Sequence, residues 1–441
     1  MMNILAIGYY DDYARFFLAI KKELQRNNNN QFKYINIYLS GFLYYLINAK
    51  TITLLISFKA WVNVFFNKRK YKKAIEQKSY KNIDLDEIIK FDVKLNSLKD
   101  HKIKILKYQA CSYIDIVEKI FITFKPDVLL LSDDSRLVIE VVDFFAKKNK
   151  IKIFYFEQGP FKTTIFDYKG VNANASIRDI VFSNTQDNLK QKEKDLNIFF
   201  SRKKQLSYRR NPIYRGIDLL LDLFFNFILP IDIRSFKVKI NNKKEYDNLK
   251  ETKSIELKGF SGKYILLILQ VPFDVNMVLH SPNFKSHLEI VNYVYNSLPD
   301  GYNLIIREHP LYKSKYEKEV YELIRDTPNV YIDVNSNFEN LIKGASIVVV
   351  NNSTVGIESI AMYKKTIVLG NCYYDRDEIC FKFKKNLPQL FNKVLSTELN
   401  RKYIIEFLHE FCFKFLIEGH FRDQEIKETT INISNYILNY K

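Results

Sequence analysis

Three groups of residues in this chain have the types and spacing that phosphate and sugar chemistry need. Ser353 and Thr354 follow the β-branched run Ile347–Val350 and precede apolar residues at Val355, Ile357, Ile360 and Ala361. A strand that turns through Asn351, Asn352, Ser353 and Thr354 into a helix presents unpaired backbone N–H groups, two hydroxyls and the positive end of a dipole. That is a seat for a phosphate. Gly356 would let a ligand or a neighbouring strand come close to the backbone. Glu358, one turn further on, could accept hydrogen bonds from ribose hydroxyls. The competing reading of the same stretch is an ordinary, well-capped βα turn. The second group, Arg307-Glu-His-Pro310, ends another apolar run and offers a cation and an imidazole to a phosphate-type leaving group. The third is a pair of carboxylates. Glu157 lies in Phe156-Glu-Gln-Gly-Pro160 and Asp167 opens Asp167-Tyr-Lys-Gly-Val-Asn172. Two carboxylates beside one cleft can divide acid–base and nucleophilic roles in glycosyl chemistry, and two surface carboxylates on loops are the alternative.

The elements that would position these residues alternate along the chain. Residues 3–8 predict a strand, 13–26 a helix, 27–30 a loop and 32–39 a second strand. Residues 51–66 are apolar and aromatic, carry the only tryptophan, Trp61, and run into Lys68-Arg-Lys-Tyr-Lys-Lys73. A core helix with a solvated basic tail and an interfacial membrane contact are the two readings there. A strand near 103–106 and a helix to 124 follow. Then come the strand 127–132, a helix over 136–148 and the strand 151–156. A second series begins at 264–269 and leads to Gln270-Val-Pro-Phe-Asp274. It continues through a helix over 285–297, the strand 303–306, another helix, and the strands 330–334, 347–350 and 366–369. Units of this kind predict parallel sheets with helices on both faces, whose ligands lie beyond the carboxyl ends of the strands. Helical segments over 388–416 and 423–440 complete the pattern.

Between the two series, 184–253 reads as an interdomain region. Basic residues dominate 202–215. Within 213–229, Arg215, Asp218, Asp222 and Asn226 fall on one narrow stripe of a helix that Pro230 stops, leaving a wide apolar face. Such a helix either packs between domains or lies flat on a bilayer, and the flanking Arg209, Arg210, Arg234 and Lys237 suit anionic lipid.

A chain of 441 residues suits two domains rather than one core. The division expected is 1–183 and 258–396 as α/β domains, 184–257 as a helical basic linker, and 397–441 as helices packing back on the first. Lys and Arg number 68 against 50 Asp and Glu, a net charge of +18, which favours an anionic partner. Nucleic acid is one such partner, but no helix-turn-helix, zinc-finger or RNP pattern supports it. Cys111, Cys372, Cys380 and Cys412 lack CxxC spacing, which fits a reduced cytosolic compartment and not a zinc site. The first eight residues are too short for a secretory signal, and no run of about 20 apolar residues predicts a spanning helix.

With these stretches in hand, the chain resembles the bacterial capsular polysaccharide biosynthesis family, whose members include β-Kdo transferases of single-module type. The stretches are Gly8-Tyr-Tyr-Asp-Asp-Tyr-Ala-Arg-Phe-Phe17, Phe156-Glu-Gln-Gly159, Asp167-Tyr-Lys-Gly-Val-Asn172, Leu269-Gln-Val-Pro-Phe-Asp274, Arg307-Glu-His-Pro310 and Asn352-Ser-Thr-Val-Gly-Ile-Glu358. They occur in the family's order across most of residues 1–375. The resemblance implies a GT-B-like α/β fold: two Rossmann-like domains with parallel sheets facing a central cleft, and no metal or other cofactor. It implies a CMP-activated acidic sugar, CMP-Kdo, as donor. His309, Ser353 and Thr354 would hold the CMP phosphate with Arg307 and Pro310, and Gln270 and Glu358 would line the nucleotide pocket. Asn172, Asn352 and Gly356 are further site candidates. Retaining transfer with Asp167 as nucleophile and Glu157 as acid–base or orienting carboxylate is the implied mechanism. The implied acceptor is a phosphatidylglycerol-type lipid or a Kdo-lipid. The implied place is the cytoplasmic face of the inner membrane, with other capsule-assembly proteins as further partners. A sialyltransferase-like or other CMP-sugar transferase with a glycan acceptor, and a non-catalytic membrane-associated assembly protein, are the alternatives. Arg307 stands where lysine is expected, and Asn371-Cys-Tyr-Tyr-Asp-Arg-Asp-Glu378 lacks a glycine expected after its tyrosine–aspartate pair.

Overall fold

The computed structural model describes residues 1–26, 29–180, 188–202, 206–228, 253–257, 260–272 and 274–439. Pro230, Arg234 and Lys237, with the rest of 229–252, lie outside the described residues, as do Asn27 and Asn28. The expected α/β architecture with two parallel-dominated sheets is what the chain has. It divides into two compact units, Met1–Val171 with Lys203–Ser235 and Lys414–Lys441, and Asn172–Arg202 with Phe236–Phe413.

In the first unit β1 (Asn3–Gly8), α1 (Asp11–Arg26), β2 (Gln31–Asn36), α2 (Leu39–Ala49), β3 (Leu54–Leu55) and α3 (Ile56–Glu76) form one half. A short hairpin, β4 (Ser79–Tyr80) and β5 (Ile83–Asp84), leads through α4 (Leu85–Ile88) and α5 (Lys90–Asn96) to the long α6 (Asp100–Phe124). Then come β6 (Val128–Leu131), α7 (Leu137–Lys148), β7 (Lys152–Gln158) and β8 (Thr163–Asp167). The sheet order is β16-β8-β7-β6-β1-β2-β3, where β16 is Leu416–Glu418 near the carboxyl end. Its five strands from β7 to β3 are parallel, and β8 and β16 are antiparallel additions at the edge opposite β3. The core is aromatic: Phe16 and Phe17 on α1 meet Phe156 edge-on at 5.5 and 5.4 Å between ring centres. Edge-to-face contact of this kind adds to the area such rings bury.

The second unit carries β9 (Ser254–Ile255), β10 (Tyr264–Ile268), β11 (Asn303–Arg307), β12 (Val330–Asp333), β13 (Ile347–Val350), β14 (Thr366–Val368) and β15 (Phe381–Lys382). They pair in the order β15-β14-β13-β10-β11-β12-β9, every neighbouring pair parallel. The central strands are continuous Ile, Leu and Val runs because both faces are covered by helices.

Two expectations need correcting. The strand expected near 103–106 is part of α6, whose buried Leu106, Ala110, Tyr113, Ile114, Val117 and Phe121 recur at helical spacing. The stretch 51–66 is not a core helix. β3 is only two residues long, and α3 continues through the basic tail to Glu76 with one face packed and Phe58, Phe65 and Phe66 exposed. The helical segments expected over 388–416 are Leu387–Ser396, Arg401–Glu410 and the wide turn Phe411–Phe415; β16 then pairs with β8, and the helix Lys427–Asn439 follows.

Candidate functional site

In an open parallel sheet a ligand crevice forms where the strand order reverses, at the carboxyl ends of the strands on either side. In the second unit the chain runs outward from β10 through β11 and β12, then returns to β10's other side with β13. The switch point therefore lies between β10 and β13, whose ends lead into Gln270 and into Asn351-Asn352-Ser353-Thr354. Gln270 is buried and its Oε1 accepts the backbone N–H of Asn352 at 3.3 Å. Asn352 donates through Nδ2 to the carbonyls of Asn276 (2.9 Å) and His280 (3.0 Å). Among the described residues, three buried polar atoms here have no partner: Gln270 Nε2, Asn352 Oδ1 and His280 Nε2. Buried polar groups are nearly always satisfied, so three orphans at one switch point mark a place where a polar ligand can complete the bonding. Burial, with the charge of Arg178, pushes His280 down to about 4, so its imidazole is neutral at pH 7.

Ser353 Oγ accepts the N–H of Val355 at 3.3 Å, and Thr354 is exposed at the start of the helix Val355–Ala361. Gly356 is demanded by packing. A Cβ there would lie 2.2 Å from the hydroxyl oxygen of the fully buried Tyr374, whose O–H donates to the carbonyl of Ser353. Glu358 is half-buried one turn into that helix, and its N–H closes the turn on Thr354 O at 3.3 Å.

On the neighbouring β11, Arg307 stands in register with Asp333 of β12 and forms an ion pair with its buried carboxylate. Glu308 points inward and takes the hydroxyl of Tyr321 and the N–H of Ser314, which pins the following loop. His309 is half-buried, and its Nδ1 accepts the N–H of Leu311 at 3.3 Å. Nδ1 is thus an acceptor, so the neutral ring carries its proton on Nε2 as a donor. Burial lowers its pKa, against the opposing pull of Asp274. Exposed Pro310 opens the single turn Pro310–Tyr312, where its fixed φ fits. Tyr316 joins the two strand ends, accepting from His309 N (3.1 Å) and donating to Gln270 O (3.0 Å). Asn172 has left-handed backbone and accepts from Asn276 Nδ2 at 3.2 Å.

The first unit has its own switch point, between β1 and β6. Antiparallel register places Asp167 opposite Tyr155, and Tyr155 is level with Leu131 and the end of β6. Glu157 lies two residues beyond Tyr155 on the same face of the pair. The two carboxylate residues are therefore diagonal cross-strand neighbours, about 7–8 Å apart at Cα. Asp167 is buried, and its Oδ1 accepts the N–H groups of Lys169 (2.7 Å) and Gly170 (3.3 Å). Glu157 Oε1 accepts from Gln158 N at 2.8 Å. Asp134 takes the N–H of Val171 at 2.9 Å, and Asp133 takes the hydroxyl of Tyr9 at 2.5 Å. Asp11 and Asp12, at the start of α1, pair with Arg210 and Arg422.

The structure thus gathers Gln270, His309, Asn352, Ser353 and Thr354 at one switch point, while Arg307 is turned to Asp333. Sequence reasoning missed Tyr316, His280, Asn276 and Tyr374 in the second unit, and Asp133, Asp134 and Arg422 in the first; Arg210, expected to suit anionic lipid, pairs instead with Asp11 and Asp218. Arg210 and Arg422 reach partners 199 and 410 residues away, a separation that local patterning does not encode.

Residues 229–393 match the model of a family described as capsule polysaccharide biosynthesis protein. Protein FixF of Sinorhizobium fredii (strain NBRC 101917 / NGR234) is 26% identical over 166 residues, 36% of this chain. The match spans only 40% of that relative's own length. Among solved structures, the chain is similar to Thermosulfurimonas dismutans KpsC, beta Kdo 2,7 transferase, with 15% identity, a TM-score of 0.38, and coverage of 77% of this chain and 97% of that one. It is also similar to a Methanocaldococcus jannaschii UDP-GlcNAc 2-epimerase, with 11% identity, a TM-score of 0.35 and coverage of 100% of both chains. Scores of this size carry nothing about reaction or ligand. Gln270, His309, Ser353 and Thr354 all lie within residues 229–393, the stretch that matches the capsule polysaccharide biosynthesis protein model.

Proposed function

We propose that the chain is a glycosyltransferase of capsule polysaccharide biosynthesis. It transfers Kdo from CMP-Kdo to a phosphatidylglycerol-type lipid or a Kdo-lipid, with retention, on the cytoplasmic face of the inner membrane. The observation that carries the reading is the trio of orphaned atoms, Gln270 Nε2, Asn352 Oδ1 and His280 Nε2, at the β10/β13 switch point within the family-matched segment. A nucleotide offers the donors and acceptors that such a trio lacks. The Nε2–H of His309 and the hydroxyls of Ser353 and Thr354 take the phosphate. Arg307 serves as a second cation whose charge is shared with Asp333, and Glu358 takes the ribose.

In the proposed reaction the carboxylate of Asp167 attacks the anomeric carbon of the sugar. A glycosyl ester forms as the bond to the phosphate breaks, and CMP leaves with the electron pair. An acceptor hydroxyl then attacks the same carbon, the ester bond breaks to regenerate Asp167, and the hydroxyl proton passes to Glu157. Two inversions give net retention. Close placement of Asp167 and Glu157 on adjacent strands supports this division of labour.

The test is incubation of purified chain with CMP-Kdo and a fluorescent lysophosphatidylglycerol, read by mass spectrometry. The reading expects product one Kdo heavier. Asp167→Ala is expected to abolish transfer and leave CMP binding intact. Absence of product with several CMP-sugars and acceptors, together with no CMP binding, would remove the enzyme reading. Product from another CMP-sugar alone would replace the donor.

A further inference from the structure

The first half of helix α9 (Pro212–Ile228) turns a carboxylate inward and three apolar side chains outward. An amphipathic helix ordinarily buries its apolar face and leaves its polar stripe to solvent. Here Asp218, from the polar stripe, is 6% exposed, accepts the N–H of Ser40 at the start of α2 at 3.0 Å, and pairs with Arg210 at 3.1 Å. Apolar Ile213 and Leu220 are 68% and 66% exposed, and Leu219 is exposed too. Tyr214 rests against Tyr44 of α2. α2 itself has no charged residue and leaves Leu46 and Ile47 exposed.

The neighbouring α3 repeats the pattern. Its buried stripe is Ile56, Ala60, Val64, Tyr71 and Ala74, and the opposite side carries Phe58, Phe65 and Phe66, the last 77% exposed. At Asn67 the backbone leaves helical geometry (φ −110°, ψ 18°). Beyond that point the exposed residues are Lys68, Arg69, Lys70, Lys72, Lys73 and Glu76, the last the sole carboxylate of the helix, and Lys70 pairs with Asp115. Exposed Lys50, Lys59, Arg209 and Arg215 add to the same sign. α2 and α3 flank β3, the strand at the edge of the first sheet, and α9 packs on α2.

We infer that this end of the first unit docks on an anionic lipid bilayer, with the aromatic half of α3 and the outward face of α9 entering the headgroup–acyl boundary. The inference stands apart from the transfer reaction. Exposed aromatic and aliphatic side chains ringed by cations match the chemistry of that surface: apolar burial supplies the depth, and lysine and arginine pair with lipid phosphates. Charge of one sign opposes a second copy of the same face. Among the described residues no helix is long and apolar enough to cross a membrane, so the contact is lateral.

The experiment uses the full chain, without donor, and vesicles of phosphatidylglycerol with phosphatidylcholine against phosphatidylcholine alone, at low and high salt. Cosedimentation is expected with the anionic vesicles only, weakened by salt. Emission of Trp61, the only tryptophan and part of α3, is expected to shift to the blue on binding. Phe65→Ser with Phe66→Ser is expected to lower vesicle affinity at least about tenfold. Leu219→Gln with Leu220→Gln, on a different helix, should do the same, and Leu311→Ser, exposed in the second unit, should not. Absence of binding, or binding untouched by both double variants, overturns the inference. So does a lipid-free dimer that the same variants dissolve, which would make a second copy the occupant.

Discussion

Gly356→Ala is the sharpest test of how the Ser353–Thr354 turn is held. The added Cβ would sit 2.2 Å from the Tyr374 hydroxyl oxygen, 2.7 Å from Cζ and 2.8 Å from Cε2, where ordinary contact is 3.4–4 Å. Tyr374 is fully buried and cannot swing into solvent. Its ring must shift by more than 1 Å or the helix Val355–Ala361 must move. Overpacking of this kind costs about 1–3 kcal/mol. Loss of the Tyr374 bond to the Ser353 carbonyl adds about 1 kcal/mol. Alanine's better helix propensity returns up to about 1 kcal/mol. The net expectation is destabilisation of about 2 kcal/mol by urea unfolding followed in the far ultraviolet. Tyr374→Phe alone should cost about 1 kcal/mol, and the double variant should fall short of the sum by about 1 kcal/mol, because Phe removes the atom at 2.2 Å. A Gly356→Ala variant as stable as the parent, or strict additivity, would refute the packing account and return this glycine to ligand approach.

Other expectations follow from the same geometry. His309→Ala should weaken CMP binding about tenfold by calorimetry, the loss of one phosphate donor, while His309→Gln, which keeps an N–H, should recover part of it. Glu140 on α7 is pushed up to about 8 by burial first and then by Asp143, Asp134 and Asp133, so its contribution to stability is present at low pH and lost as pH rises from about 4.5 through 8. Glu140→Gln should therefore match the parent near pH 5 and exceed it near pH 8.5 by about 2 kcal/mol, Glu140 being only half-buried. Arg210→Ala leaves the buried carboxylates of Asp11 and Asp218 without their shared cation and should cost about 3 kcal/mol at pH 8, less at pH 4, where protonation relieves them. Transfer, once detected, should survive a chelator of divalent metals.

Sequence and structure agree where burial alone decides the outcome. β13 and the inner strands around it are two-sided apolar runs, and a run of β-branched residues between polar turns has few other things to be. The expected strand at 103–106 failed for the complementary reason. Four residues of apolar-charged alternation satisfy a strand, but the buried positions from Leu106 to Phe121 keep helical spacing, and a helix that packs over five turns outweighs a strand that pairs over one. The antiparallel pair β8 and β16 was invisible because three residues of β16 find their partner some 250 residues away, and so the level at which Asp167 meets the sheet edge was invisible too.

Site residues were legible as types and not as partners. A serine–threonine turn after a buried strand announces itself, as does a histidine before proline. Nothing in the sequence says that Arg307 will stand in register with Asp333, or that His309 will take a backbone N–H on Nδ1 and so keep Nε2 as the donor. The helix α9 makes the distinction sharpest. Its spacing puts Arg215, Asp218, Asp222 and Asn226 on one stripe, and of these Asp218 is buried while Arg215 is exposed. Periodicity is silent on which side turns inward, because that depends on what waits there. A buried carboxylate is costly unless it is paired, and here Ser40 offers an N–H and Arg210 a guanidinium that Asp11 also shares. Those partners come from α2 and from the chain before α9, and they hold Asp218 inward. Ile213, Leu219 and Leu220 are left outward as a consequence of satisfying one aspartate, and their cationic surroundings set what they can dock against.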